Sequence, residues 1–295
     1  MSIASSIGTG LAASIPSPET GVLYLGPVPL RAYAFSIIIG AVVAIWLTER
    51  RYVARGGRAG AVSDVAIWAI PSGIVGARIY HVVTSPELYF GEGRRAVEAF
   101  YIWNGGLGIW GAVLGGALGA MVACRLYGVN IWTLGDSLAP GLLIAQAIGR
   151  LGNYFNQELF GRPTDLPWGL EIDPSNRPSG FAEFATFHPT FLYEMVWNLA
   201  AAALILLIDR RVRLTHGRAW WLYVMLYTAG RVWIEALRID TANLIGPFRL
   251  NVWTSIVVFV VGAAMFWVAT RRSRREPEVV GEPHAEERQS PARDE

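Results

Sequence analysis

Residues 252–270 read Val-Trp-Thr-Ser-Ile-Val-Val-Phe-Val-Val-Gly-Ala-Ala-Met-Phe-Trp-Val-Ala-Thr, and Arg271, Arg272, Arg274 and Arg275 follow at once. The block carries no charge. At about 1.5 Å per residue, a helix of that length nearly matches a hydrocarbon core of about 30 Å. Working back along the chain, similar blocks occur near 33–48, 63–83, 106–124, 134–150, 190–208 and 218–236. Seven apolar helices, in a chain that is 53% hydrophobic and only 16% charged, define an all-α polytopic membrane protein. The short alternating segments of a membrane β-barrel are absent from this pattern.

The arginines sort by side. Arg50, Arg51, Arg55 and Arg58 follow the first block, Arg125 the third, Arg210, Arg211, Arg213 and Arg218 the fifth, and the Arg271–Arg275 run the seventh. The alternate loops mix in acids: Glu87, Glu92 and Glu98 in one, and Asp165, Glu171, Asp173 and Glu183 in another. The positive-inside rule then predicts a cytoplasmic C-terminus, with the N-terminus and the long 151–189 loop outside. Residues 1–30, broken by Pro16, Pro18, Pro27 and Pro29, read as an irregular lead-in without the basic start of a cleavable signal. Residues 1–270 form the membrane domain. The 271–295 tail reads as disordered, its last twenty residues being polar and charged with no apolar period.

Composition excludes several classes. A net charge of +2 suggests no nucleic-acid partner. The single cysteine, Cys124, forms no internal disulfide and reads as a small packing residue. The chain has no lysine, so a retinal Schiff base is impossible. No metal-ligand cluster or nucleotide-binding motif appears, and neither a metal nor a cofactor is expected. A monomer is the default.

At the end of the fourth block stands Gly149-Arg150-Leu151-Gly152-Asn153-Tyr154-Phe155-Asn156-Gln157-Glu158-Leu159-Phe160-Gly161. A bilayer penalises such polar side chains unless a function holds them there. Others share the outer half of the predicted bundle. They are Arg78 and His81 in the second block, His188, Tyr193 and Glu194 opening the fifth, and Tyr227, Arg231, Glu235 and Arg238 in the sixth. Tyr227, Arg231 and Glu235, spaced four apart, stack on one helix face. Two readings follow for the arginines. One is an internal salt bridge of Arg231 with Glu235 or Glu194. The other is a group of like charges awaiting an anion, for which a guanidinium fork suits phosphate. On the second reading the site binds a phospholipid head group. His81 reads as an interior hydrogen-bonded residue, and His188 as a loop anchor, helix cap or base. Gly111, Gly115 and Gly119 form a small-residue face for close helix packing. Gly105 and Gly106, placed at the start of the third helix, offer N–H groups to an anion.

These residues resemble the prolipoprotein diacylglyceryl transferase family over nearly all of the chain to about residue 270. The Gly149–Gly161 run is similar to its hallmark pattern. Gly26-Pro27, Tyr33, Gly76-Ala77-Arg78, Asn104-Gly105-Gly106-Leu107, His188-Pro189-Thr190 with Tyr193-Glu194, and Tyr227…Arg231…Glu235…Arg238 support it. The resemblance implies transfer of the diacylglyceryl group of phosphatidylglycerol to the lipobox cysteine thiol of a prolipoprotein. A thioether forms and glycerol phosphate leaves, at the outer leaflet of a bacterial plasma membrane. It implies Arg150 on the lipid phosphate and Arg231 on the leaving phosphate. Asn153, Glu158, Gly161, Tyr33, Gly105, Arg78 and Glu194 then shape the binding site, with Tyr227, Glu235 and His188 beside the chemistry. One position departs. Many relatives carry a histidine shortly after the Gly-Gly pair, where this chain has Trp110, which cannot act as a base. A phospholipid transporter or scramblase with the same head-group site is the competing reading.

Overall fold

The structure, a computed structural model, describes residues 14–26, 28–91, 93–278 and 280. Pro27, Glu92 and residues 281–295, which make up most of the expected disordered tail, lie outside the described residues. Residues 1–13 of the expected irregular lead-in lie outside the described residues, and its later part instead forms a hairpin of β1 (Val22–Leu25) and β2 (Val28–Arg31). Gly26, at φ 60°, makes the turn that a side chain would strain. Next come α1 (Ala32–Ala54), α2 (Ala61–Thr84), a single-turn α3 (Glu87–Phe90), α4 (Ile109–Leu126) and α5 (Ile131–Asn156). The outer loop pairs β3 (Leu170–Glu171) with β4 (Thr186–Phe187). It is followed by α6 (Thr190–Val212), α7 (Arg218–Leu237), the short pair β5 (Leu244–Ile245) and β6 (Phe248–Arg249), and α8 (Leu250–Ser273).

Each apolar block of the sequence corresponds to one long helix. Among the described residues six of them, α1, α2, α4, α5, α6 and α8, are long and apolar enough to cross a membrane. The seventh, α7, has the length but not the hydropathy. Trp220, Trp221, Tyr223, Tyr227, Arg231 and Glu235 dilute its aliphatic content. Large apolar side chains stand exposed on the helix faces, such as Ile38 at 58% and Val42 at 60% in α1 and Val260 at 60% in α8. Faces of that kind suit lipid as their solvent.

The described residues gather into two compact units. One holds the described parts of Met1–Ala44 with Ala139–Arg213 and Trp221–Trp267; the other holds Ile45–Leu138, Leu214–Trp220 and the described residues from Val268 onward. In the second unit α2 packs on α4 through glycines. A Cβ on Gly115 would strike Ser72 O and approach Gly76 Cα, so the small-residue face serves close packing, as its spacing predicts. Buried Asp136 caps the start of α7 there, accepting from the N–H groups of Gly217 (2.8 Å), Ala219 (2.7 Å) and Trp220 (3.2 Å). These are donors that a helix N-terminus leaves without partners.

In the first unit the 151–189 loop has its own small core. Phe160, Leu170, Ile172 and Phe187 are buried against Phe191 at the start of α6, with Ile15, Tyr154 and Ile239 packed around them. That core fixes the segment joining α5 to α6, and therefore the site.

Candidate functional site

The last two turns of α5 carry Arg150 and Asn153, after which the chain leaves the helix with Gln157 and Leu159 at φ 50° and 59°. Such left-handed positions cost energy for residues other than glycine unless held from outside. Gln157 is held: its Nε2 donates to Asp173 Oδ2 at 2.6 Å, and the Asp173 N–H donates to its Oε1 at 2.8 Å. The sharp exit brings Glu158 back over the helix end. Asn153 Nδ2 donates to Glu158 Oε1 at 2.8 Å, while Arg150 Nη1 donates to Asn153 Oδ1 at 3.0 Å. Two glycines of the run have steric roles. A Cβ on Gly152 would lie 2.5 Å from Tyr33 Cδ2, and one on Gly161 would lie 2.8 Å from His188 Cβ. Gly161 also pairs as a β-bridge with Arg238, tying the run to the end of α7.

Arg150 on α5 and Arg231 on α7 converge on one carboxylate of α6. Arg150 Nε pairs with Glu194 Oε2, and Arg231 Nη1 donates to Glu194 Oε1 at 2.7 Å. Arg231 Nη2 also pairs with Glu235 Oε2 at 2.6 Å. Glu235, with no exposure, is further flanked by Arg238 Nη1 at 3.6 Å and Arg249 Nε at 2.9 Å, and accepts from Asn251 Nδ2 at 3.0 Å. Arg238 and Arg249 both continue to Asp240. Burial pushes the Asp240 carboxyl up, but hydrogen bonds and charge from Arg238 and Arg249 outweigh it and hold it below the ordinary aspartate value.

The picture of like charges awaiting an anion therefore needs correction. Arg150, Arg231 and Arg238 each have a carboxylate already, as the salt-bridge reading of Arg231 anticipated. In the direct pairs four guanidiniums face three carboxylates, with Glu158 joined to the edge through Asn153. A cleft of about 190 Å³ opens among these groups, lined by Arg150, Asn153, Leu159, Thr190, Phe191, Glu194 and Arg238. With Glu194 in place only about 10 Å³ of it is open to a water-sized group, so an anion enters only where that carboxylate gives way.

Other predicted residues have partners of their own. Arg78, in the second unit, is 7% exposed and donates to four carbonyls: Ala99 at 2.7 Å, Gly105 at 2.6 Å, Gly106 at 3.0 Å and Glu98 at 2.6 Å. It lies 4.8 Å from the centre of the Tyr89 ring. Its donors hold the 96–106 loop in place. Gly105 and Gly106, at φ 85° and 72°, cannot start a right-handed helix; α4 begins at Ile109, and these glycines turn their carbonyls toward Arg78. His81 Nδ1 shares a hydrogen bond with the Tyr89 hydroxyl at 2.9 Å, an interior role. Trp110, on the first turn of α4, is half exposed.

His188 Nδ1 meets the Tyr193 hydroxyl at 3.1 Å, and its backbone exchanges hydrogen bonds with Gly161 and Arg162. It does not line the cleft. Desolvation first, and the Arg162 charge second, lower its pKa, so its ring stays neutral where an ordinary histidine begins to protonate. The sequence reading missed Arg249, Asp240 and Asn251. The signal was available: an arginine and an asparagine at the mouth of an apolar span, with an acid just beyond the preceding one.

Residues 20–268 match the family model described as prolipoprotein diacylglyceryl transferase. A phosphatidylglycerol–prolipoprotein diacylglyceryl transferase 2 from Streptomyces coelicolor is 56% identical over 260 residues, which cover 88% of this chain and 82% of that protein. A phosphatidylglycerol–prolipoprotein diacylglyceryl transferase from Cutibacterium acnes is 53% identical over 259 residues, 88% of each chain. One from Frankia alni is 56% identical over 260 residues, covering 88% of this chain and 68% of its own.

Proposed function

The chain belongs to the prolipoprotein diacylglyceryl transferase family, and from that premise we propose that it moves the diacylglyceryl group of phosphatidylglycerol to the lipobox cysteine thiol of a prolipoprotein. All seven long helices cross the plasma membrane of a bacterium, with the N-terminus outside and the cleft toward the outer leaflet. The arginine-rich loops support that orientation. The observation that carries the reading is the meeting of Arg150 and Arg231, from two helices, on the single carboxylate of Glu194. A seat that holds a carboxylate between two guanidinium forks also fits a phosphate, whose oxygens accept the same hydrogen bonds with more charge.

On this reading the lipid phosphate replaces Glu194 between the two forks. Glu235, with Arg238 and Arg249, keeps Arg231 aimed as it does so. The nucleophile is the substrate's own thiol, so the enzyme needs no reactive cysteine, and Cys124 is buried. The thiolate attacks the glycerol carbon bearing the phosphate. A C–S bond forms, the C–O bond breaks, and its electron pair leaves on the phosphate oxygen as glycerol phosphate. Negative charge grows on the departing group, and prepositioned guanidiniums act most strongly at such a place. Asn153 and Glu158 keep Arg150 in line, and Gly152 and Gly161 allow Tyr33 and the end of α7 to come close.

The test is a transfer assay with purified protein, phosphatidylglycerol and a cysteine-bearing lipobox peptide. Formation of the thioether with release of glycerol phosphate is expected. Movement of lipid between leaflets with no thioether would replace the reading by a lipid scramblase.

A further inference from the structure

One helical turn deeper than Arg150 on the same face of α5 stands Gln146. Its Nε2 donates to the hydroxyl of Tyr223 on α7 at 3.0 Å, while its Oε1 is buried with no hydrogen-bond partner among the described residues. A buried amide group without a partner costs free energy, more so in a membrane interior. Between Gln146 and Arg150 on this face lies Gly149, and a Cβ built there meets nothing within 4 Å. Beside Tyr223, with ring centres 6.0 Å apart, is Tyr227, whose hydroxyl makes no hydrogen bond among the described residues. The open space over Gly149 therefore forms a slot next to an unmet amide that stands about 6 Å along the helix from Arg150.

We propose that this slot binds an ester carbonyl of the diacylglyceryl group, with Gln146 as the group that selects ester-linked lipid; the inference rests on the function proposed above. A glycerophospholipid carries its ester groups on the other two glycerol carbons, the nearer of them next to the carbon bearing the phosphate. A phosphate held by Arg150 and Arg231 thus places them toward the apolar side, where Gln146 lies. The ester carbonyl is an acceptor, and the amide can supply the donor. A half-turn of the amide lets Tyr223 donate to Oε1 and leaves an N–H facing the slot, so the pairing with Tyr223 survives in either orientation. The Tyr227 hydroxyl is a second donor for the same carbonyl. An ether-linked lipid has no carbonyl and leaves both donors unmet.

The experiment compares phosphatidylglycerol with its dialkyl ether analogue of equal chain length, as donors to the same lipobox peptide. Wild-type protein is expected to favour the diester by about tenfold in kcat/KM, mostly through KM, the size of one buried hydrogen bond. Gln146→Leu and Gln146→Met are expected to lower the diester rate and bring the ratio near one, and Tyr223→Phe to reduce it part of the way. Melting in detergent identifies which variants fold, and either Gln146 variant suffices. A wild-type ratio near one, or a tenfold preference surviving in a folded Gln146 variant, overturns the proposal and leaves the transferase reading standing. Failure of wild type to transfer either lipid overturns both.

Discussion

Two buried arginine sites in this molecule have opposite partners. Arg78 is surrounded by carbonyl oxygens of the 98–106 loop and the face of Tyr89, with no carboxylate among the described residues. Arg150 and Arg231 are held by carboxylates, on Glu194 and Glu235. The difference decides what each can do. Backbone carbonyls are fixed by the chain, so an arginine that satisfies several of them is part of the architecture. A carboxylate on a side chain is an anion that can swing away, and an arginine paired with one can exchange it for another anion. A buried ion pair adds little net stability by itself, because desolvation offsets attraction. Its presence in the first unit is therefore better explained by exchange than by stability.

The largest expected effect breaks the exchangeable pair. Arg150→Ala or Arg231→Ala should lower transfer by roughly 10²–10³-fold, the size of losing one preorganised donor to a developing charge. The fold should survive, because Glu235 retains Arg238 and Arg249 after Arg231 is removed. Arg150→Lys should also fall well short of wild type, since the fork is lost. Full activity in the alanine variants would reverse the roles assigned to the two sites.

Next in size is the architectural arginine. Arg78→Ala strands four carbonyls and should cost about 3 kcal/mol or more, read as a lower melting temperature in detergent and faster proteolysis near residues 96–106. Loss of transfer with unchanged stability would place Arg78 on the lipid instead.

Much of this contrast was legible in the sequence, and the reason for the rest is physical. Apolar block lengths located every long helix, because a hydrocarbon core sets one length for all of them. The Gly149–Gly161 run pointed to the segment around which the Arg150–Glu194–Arg231 cluster is built, because polar residues closing an apolar block require a cause. The partners were harder. Arg78 and Arg150 look alike as arginines within apolar blocks, and only the positive φ of Gly105 and Gly106, which turns their carbonyls inward, separates them. Arg249 and Asp240 join through the short β5–β6 turn, a tertiary contact with no periodic signal.

A smaller effect concerns His188. Its ring contacts Tyr193 outside the cleft lining, so His188→Asn should reduce transfer by less than about tenfold, as loss of a positioning hydrogen bond. Its pKa is lowered, so the folded protein favours the neutral ring. Activity tied to the neutral ring persists as pH falls past about 6.5, the ordinary histidine value, whereas the stability linked to that ring falls as pH drops from that value to the lowered one. A pH profile of wild type against the variant reads this limb, which should vanish in His188→Asn. A loss as deep as that of Arg150→Ala would make His188 the base. The smallest change is expected at Trp110. Placing the histidine of many relatives there, Trp110→His, should alter transfer by no more than about threefold, because Trp110 stands half exposed on the first turn of α4.

The most direct measurement compares binding of phosphatidylglycerol and of neutral diacylglycerol to purified protein in detergent, for wild type and Arg150→Ala. Wild type should bind the phosphate-bearing lipid at least tenfold more tightly, and the variant should bind both nearly alike. Equal binding of the two lipids by wild type would contradict the exchange of Glu194 for phosphate.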